Sequence, residues 1–289
     1  MKKPIAKKFF WGLILAALFL STLIFVSLPL PGHIPILMYH YVFPKEELGT
    51  SSLNVSIDDF QKQMWFLKMF GFKTISLDDL YAIKTGKQKP RGREVVITFD
   101  DGHFTYLKYA LPIMERYQIQ SVNFLIWDHL KRAWHDDISL EDAKRLVHHP
   151  LVALESHSLT HPDLREVSAK QARTEIFLSK KNLEKALGKT IDYFCYPKGS
   201  FNPEIEDMVK AAGYKLAFRT SFKYYKAYPE TLYSLGRIKA PPRQGLFVFW
   251  LNVSGIITYA KEIDAFFHQL TGRKVNDKLN VYEPAYKTT

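Results

Sequence analysis

Three short clusters in this 289-residue chain hold residue types that could do chemistry. The first is Thr98-Phe99-Asp100-Asp101-Gly102-His103. Two adjacent carboxylates are costly unless a cation compensates them, and a divalent metal would lower the pKa of one and fix both. Gly102 permits a sharp turn, so both side chains can face one pocket. The plainer reading is an Asp-Asp-Gly turn with solvated acids. The second cluster is His157-Ser158-Leu159-Thr160-His161. Neutral imidazole is a common zinc ligand, and three protein ligands plus water make a catalytic zinc site. Histidines four apart share a face if the segment turns helically; an ordinary hydrogen-bonded pair is the alternative. The third is Phe194-Cys195-Tyr196-Pro197-Lys198-Gly199-Ser200-Phe201-Asn202. A Pro-Gly turn between a strand end and a helix can present backbone N–H groups to a developing oxyanion, or can be a plain connection. The single cysteine, Cys195, excludes a disulfide framework and a Cys-rich zinc site, and reads as core. His33, His103, His129, His135, His148, His149 and His268 have no comparable context and read as solvated or structural.

The elements that must position these clusters alternate between strand and helix. Strands are expected over Ile34–His40, Phe72–Ser76, Glu94–Phe99, Ser121–Trp127, Val152–Glu155, Tyr193–Tyr196, Lys215–Arg219 and Leu232–Lys239. Helices are expected from the Ser56 cap to Gly71, over Leu77–Thr85 and Tyr106–Tyr117, from Ser139 through His148, over Ser168–Leu187, and from Asn202-Pro203 to Gly213. Short strands alternating with helices indicate a parallel sheet with helical crossovers. About seven repeats favour a barrel over an open sheet, and barrel catalytic residues sit at strand C-terminal ends. All three clusters follow an expected strand. Leu246–Leu251 reads as a last strand or an exposed apolar contact, and Asn276–Thr289 as a polar tail.

Lys2, Lys3, Lys7 and Lys8 precede an uncharged run, Phe9–Leu30. That run exceeds the roughly 20 apolar residues a bilayer crossing needs, and its basic flank sets a cytoplasmic N-terminus. The sequence therefore predicts a basic flank at 1–8, a transmembrane signal anchor at 9–30, a domain at 31–245 outside the cytoplasm, and an extension of unassigned role at 246–289. A cleaved signal and a secreted product form the rival reading. Four of the eleven excess positive charges belong to the flank, leaving about +7 for the remainder. Export argues against nucleic acid as partner and leaves an anionic envelope polymer or the bilayer. At 47% hydrophobic and 15% aromatic, the chain can bury a core, which excludes a disordered protein.

Taken in order, Asp-Asp-Gly at a strand end, His-Ser-x-x-His about 55 residues later and a Pro-x-Gly turn resemble the polysaccharide deacetylase domain. This is the NodB-homology domain, carbohydrate esterase family 4. The likeness runs from about Ile34 to Lys239. The opening Ile36-Leu37-Met38-Tyr39-His40-Tyr41-Val42 resembles the subgroup acting on exported poly-N-acetylglucosamine. The resemblance implies a deformed (β/α)7-type barrel. It implies a divalent metal, zinc foremost, on Asp101, His157 and His161, with a water on that metal as nucleophile and Asp100 as general base. A backbone N–H in the Tyr196-Pro197-Lys198 turn would hold the oxyanion. The glycan partner would be an N-acetylated polymer. Two departures stand out. Cys195 lies where relatives carry an arginine that braces the base, so Arg237 is the candidate to supply that charge. The late Leu-x-His of the family is absent between Leu232 and Trp250, so His40 is assigned as general acid, while Tyr39 reads as packing. An inactive glycan-binding protein and a purely structural envelope protein are the competing classes.

Overall fold

The computed structural model describes residues 34–132, 136–220, 230–240 and 245–256. The expected flank, anchor and polar tail, with His33, His135 and His268, lie outside them. Among the described residues no helix is long and apolar enough to cross a membrane.

A curled, wholly parallel sheet forms the frame. Its strands are β1 (Ile36–Tyr39), β4 (Lys73–Thr74), β5 (Glu94–Phe99), β6 (Ser121–Leu125), β7 (Val152–Ser156), β8 (Tyr193–Cys195), β9 (Leu216–Phe218) and β10 (Ile238–Lys239). Their order is β10-β1-β5-β6-β7-β8-β9, with β4 flanking the start of β5. The seven-strand path fits a deformed barrel. One chain segment touches both edges: Leu235 bridges Phe218 of β9, while Ile238 and Lys239 pair with Leu37 and Met38 of β1. The expected Leu232–Lys239 strand is thus only its final two residues plus an isolated bridge, because the segment passes from one edge strand to the other.

Alternate residues of each strand face opposite ways. Ile36, Val96, Val122, Phe124, Tyr193, Cys195, Leu216, Phe218 and Leu235 form the inner cluster. Leu37, Tyr39, Val95, Ile97 and Phe99 join the outer core beneath the helices. Serine caps set several helix starts, as local chemistry dictates. The Ser56 hydroxyl accepts from Asp59 N–H at the head of α1 (Ile57–Met69), and Ser76 does the same from Asp79 for α2 (Leu77–Lys84). The third helix opens as a wide π turn over Tyr106–Ala110 before regular α3 (Leu111–Tyr117).

Three short elements were not foreseen: β2 (Tyr41–Phe43) paired with β3 (Asn54–Ser56), and α4 (Trp127–Arg132). After α5 (Leu140–Leu146), the long α6 (Ala169–Leu187) ends at left-handed Gly188, and α7 (Pro203–Ala211) starts from the Asn202 cap. The Leu246–Leu251 run is no strand but the body of α8 (Leu246–Val253). Its Phe249 packs edge-on against Phe66 of α1.

Candidate active site

The three clusters meet at the C-terminal ends of β5, β7 and β8. Asp100 follows β5 directly and is 1% exposed. Asp101 then takes a left-handed backbone, φ 70°, followed by Gly102 at φ 79°. A Cβ on Gly102 would lie 2.7 Å from Leu125 Cδ2, so the turn needs glycine there for space as well as for φ. The turn sends the two carboxylates in different directions.

Asp101 faces the histidines. Its Oδ1 lies 3.6 Å from His157 Nε2 and 3.7 Å from His161 Nε2, and the two ring nitrogens are 3.2 Å apart. The predicted helical turn between the histidines is absent. The segment is a loop with Ser158 and His161 at φ 71° and 65°. It is pinned from beneath by Glu175 of α6, whose carboxylate accepts from Leu159 N–H, Thr160 N–H and the Thr160 hydroxyl. The α4 amides of Trp127 and Asp128 donate to Ser158 and Leu159 carbonyls. Irregular backbone, fixed by these bonds, therefore does what helical spacing was expected to do.

The donor chemistry of this trio fits a divalent cation. His157 Nδ1 lies 2.8 Å from the Cys195 carbonyl. A carbonyl only accepts, so Nδ1 carries the proton, and in the neutral ring Nε2 presents a lone pair toward His161 and Asp101. Two imidazole nitrogens and a carboxylate oxygen converging on one point suit zinc. Burial opposes ionisation of Asp101, but His40, His157 and His161 outweigh it and hold its pKa below the usual carboxylate range. A second possible donor set, Asp100, His157 and Cys195, is already filled by a cation. The Arg237 guanidinium sits within it, 2.6 Å from Asp100 and 3.1 Å from Cys195 Sγ, and burial pushes the thiol pKa up so that it stays protonated.

Arg237 reaches Asp100 from the segment that joins the sheet edges. Its NH1 and NH2 donate to the two Asp100 oxygens at 2.7 and 2.6 Å, NH1 also to Thr98 Oγ1, and Nε to the Arg219 carbonyl. Both residues of the pair are essentially unexposed. Burial alone would raise the Asp100 pKa; Arg237, with His157 and His40, holds it well below the ordinary carboxylate range. His40, at the end of β1, places Nε2 3.8 Å from Asp100 Oδ2. Burial lowers its pKa against the opposing pull of both aspartates.

The turn after β8 divides the predicted Tyr196-Pro197-Lys198 trio. Tyr196 is a correction: its N–H donates to the Phe218 carbonyl, its hydroxyl to the Tyr233 carbonyl, and its ring stacks on Phe201. It offers no donor to a substrate. Pro197 has no N–H, and the amide that remains in this turn is that of Lys198, at φ 55°. Tyr39 is packing, stacked on Phe99 with its hydroxyl on Gln63. Sequence reasoning missed Tyr41, whose hydroxyl donates to Asp101 Oδ2 at 2.7 Å. No spacing rule signals that contact. It also missed Glu175, which reads in sequence as one more charge on a long helix. Of the histidines set aside, His103 bonds Thr105, His129 pairs with Asp137 and His149 with Glu115.

Fold and site together define an α/β protein with a curled parallel sheet, consistent with a deformed barrel, whose polar site lies at the C-terminal ends of its strands, where barrel enzymes keep their chemistry. Residues 87–217 match the family model of polysaccharide deacetylases. The matched window holds Asp100, Asp101, His157, His161 and the Lys198 turn, and leaves out His40, Tyr41 and Arg237. The chain is 31% identical over 180 residues to the poly-beta-1,6-N-acetyl-D-glucosamine N-deacetylase of Staphylococcus aureus (strain N315), covering 57% of this chain and 60% of that protein. This chain therefore spans under two thirds of the staphylococcal protein's length. Among solved structures, Streptococcus pyogenes deacetylase PplD in complex with acetate superposes with a TM-score of 0.70 at 26% identity, covering 78% of this chain and 99% of that one. IcaB from Ammonifex degensii, at 23% identity and TM-score 0.65 over 78% of this chain and 98% of its own, shares the fold.

Proposed function

We propose that the protein is a metal-dependent N-deacetylase of an N-acetylglucosamine-containing envelope polysaccharide. The observation that carries this reading is the convergence of His157 Nε2, His161 Nε2 and Asp101 Oδ1, with the ionised Asp100 beside it. The likeness to a staphylococcal poly-beta-1,6-N-acetyl-D-glucosamine N-deacetylase supports the substrate class.

Asp101, His157 and His161 would hold a divalent cation, zinc by donor type, which would supply Lewis acidity to acidify water and polarise the acetamide carbonyl. Asp100 orients the attacking water and accepts its proton. Gripped by Arg237, it is a weak base, so it gives that proton up readily once the water oxygen has bonded to carbon. The Lys198 amide donates to the oxyanion. His40, whose Nε2 lies 3.8 Å from Asp100 Oδ2, takes up the proton that Asp100 releases and delivers it to the departing amine. Arg237 keeps Asp100 ionised and fixes both of its oxygens. Retention of Asp100, Asp101, His157 and His161 together disfavours an inactive glycan-binding protein. The apolar run at 9–30 and its basic flank support a membrane-anchored domain outside the cytoplasm, with the bilayer as second partner.

Acetate release tests this reading. The zinc-loaded full-length protein should release acetate from N-acetylglucosamine oligomers, and chelation should abolish release until zinc is restored. No acetate from oligomers, poly-N-acetylglucosamine or peptidoglycan would overturn it.

A further inference from the structure

Asp101 is held from two sides. Its Oδ1 looks at the two imidazole nitrogens, and its Oδ2 accepts the Tyr41 hydroxyl at 2.7 Å. A phenol facing a carboxylate can only donate, so Oδ2 is engaged by protein and Oδ1 is the oxygen left toward the histidines.

Tyr41 is itself well placed to act as the fixed point. Strand pairing with Asn54 sets its backbone, and its ring packs against His103 at 4.6 Å, His40 at 5.8 Å and Phe43 at 6.3 Å between centroids. The small β2–β3 sheet, which lies outside the stretch matched by the family, thereby reaches into the site.

We propose that Tyr41 is a positioning residue for metal binding: its hydroxyl clamps Oδ2 of Asp101, so that the carboxylate offers one oxygen to a cation shared with His157 and His161. This rests on the metal-site reading above. A carboxylate freed to rotate, or to engage through both oxygens, would bind less well or crowd the positions the reactants need. Groups that orient metal ligands in this way typically contribute about 10–100-fold in affinity or activity.

The test is Tyr41→Phe in the full-length chain, which keeps the ring contacts and removes only the hydroxyl. Zinc affinity of the metal-free protein is measured by competition with a chromophoric chelator, with no substrate present. The expected result is a dissociation constant raised about 10–100-fold, with an unchanged unfolding temperature of the metal-free protein. At saturating zinc, kcat on N-acetylglucosamine oligomers should fall while KM stays near the wild-type value. Zinc affinity equal to wild type would overturn the proposal. Zinc binding weakened as expected in a protein that never releases acetate would sustain the role of Tyr41 and defeat the deacetylase reading.

Discussion

Arg237 grips Asp100 through both terminal guanidinium nitrogens, at 2.7 and 2.6 Å, across 137 positions of sequence. The pair is buried and satisfied on every side: Thr98, the Arg219 carbonyl and Cys195 take the remaining Arg237 contacts. A small thiol at 195 leaves room for the guanidinium that arrives from the segment joining the two sheet edges. The charge that relatives are expected to bring on the strand after β7 comes here from the residue just before β10.

Replacing Arg237 should move the acid limb of the pH–rate profile. With the guanidinium present, Asp100 is ionised throughout the acid range; with it gone, burial dominates and raises the Asp100 pKa. A base that must be ionised then needs a higher pH, so kcat/KM for Arg237→Gln should begin to fall at higher pH than in wild type. Arg237→Ala should in addition lose about 3–5 kcal/mol of stability, as breaking a buried ion pair does. Superimposable acid limbs for wild type and Arg237→Gln would remove Arg237 from the role assigned to it.

His40→Ala should separate proton donation from attack. General acids contribute about 10²–10⁴-fold, and that loss should fall on kcat for N-acetylglucosamine oligomers with KM little changed. An aryl acetate, whose leaving group departs without protonation, should be hydrolysed by the variant at nearly the wild-type rate. Equal losses on both substrates would show that His40 acts elsewhere in the reaction.

Gly199→Ala should abolish activity with the protein still folded in part. A Cβ there would collide with the side chain and backbone of Thr220, and the residue sits at φ 68°. Relief requires the turn carrying the Lys198 amide to shift. A variant with wild-type kcat would place the oxyanion donor outside this turn.

Lys239 predicts a pH dependence of stability. Burial pushes its pKa down to about 8, and its ammonium bonds the Ser52 hydroxyl. An unfolded lysine titrates near about 10.4. Between these values the unfolded chain binds more protons, so the contribution of Lys239 to stability rises with pH, and below about 8 its charged form disfavours folding. The unfolding free energy of Lys239→Met minus that of wild type should therefore shrink as pH climbs from 7.5 to 9.5. A difference independent of pH would contradict the depressed pKa.

What could be read in advance was local. Asp100, Asp101, His157 and His161 announced themselves because their partners lie one to four positions away and each cluster follows a strand of buried residues. Ser56, Ser139, Ser168 and Asn202 marked helix starts because capping is a bond between near neighbours. Contacts made across the barrel were a different matter. Arg237 could be named as a candidate from a missing charge at 195, but nothing in the chain encodes its bidentate approach. Tyr41 meets Asp101 across 60 positions, with no motif to signal it. Helical spacing misled at His157–His161, where two left-handed residues do the work. The apolar run Leu246–Leu251 was ambiguous because a short stretch without polar residues has no period to read.

The most direct test of the account is acetate release and zinc content measured together on wild type and Asp100→Asn, both as full-length protein. The account predicts one zinc in each protein, acetate released by wild type from N-acetylglucosamine oligomers, and none from Asp100→Asn. An Asp100→Asn protein that releases acetate at the wild-type rate, or a wild type that holds no zinc and is indifferent to chelator, would contradict it.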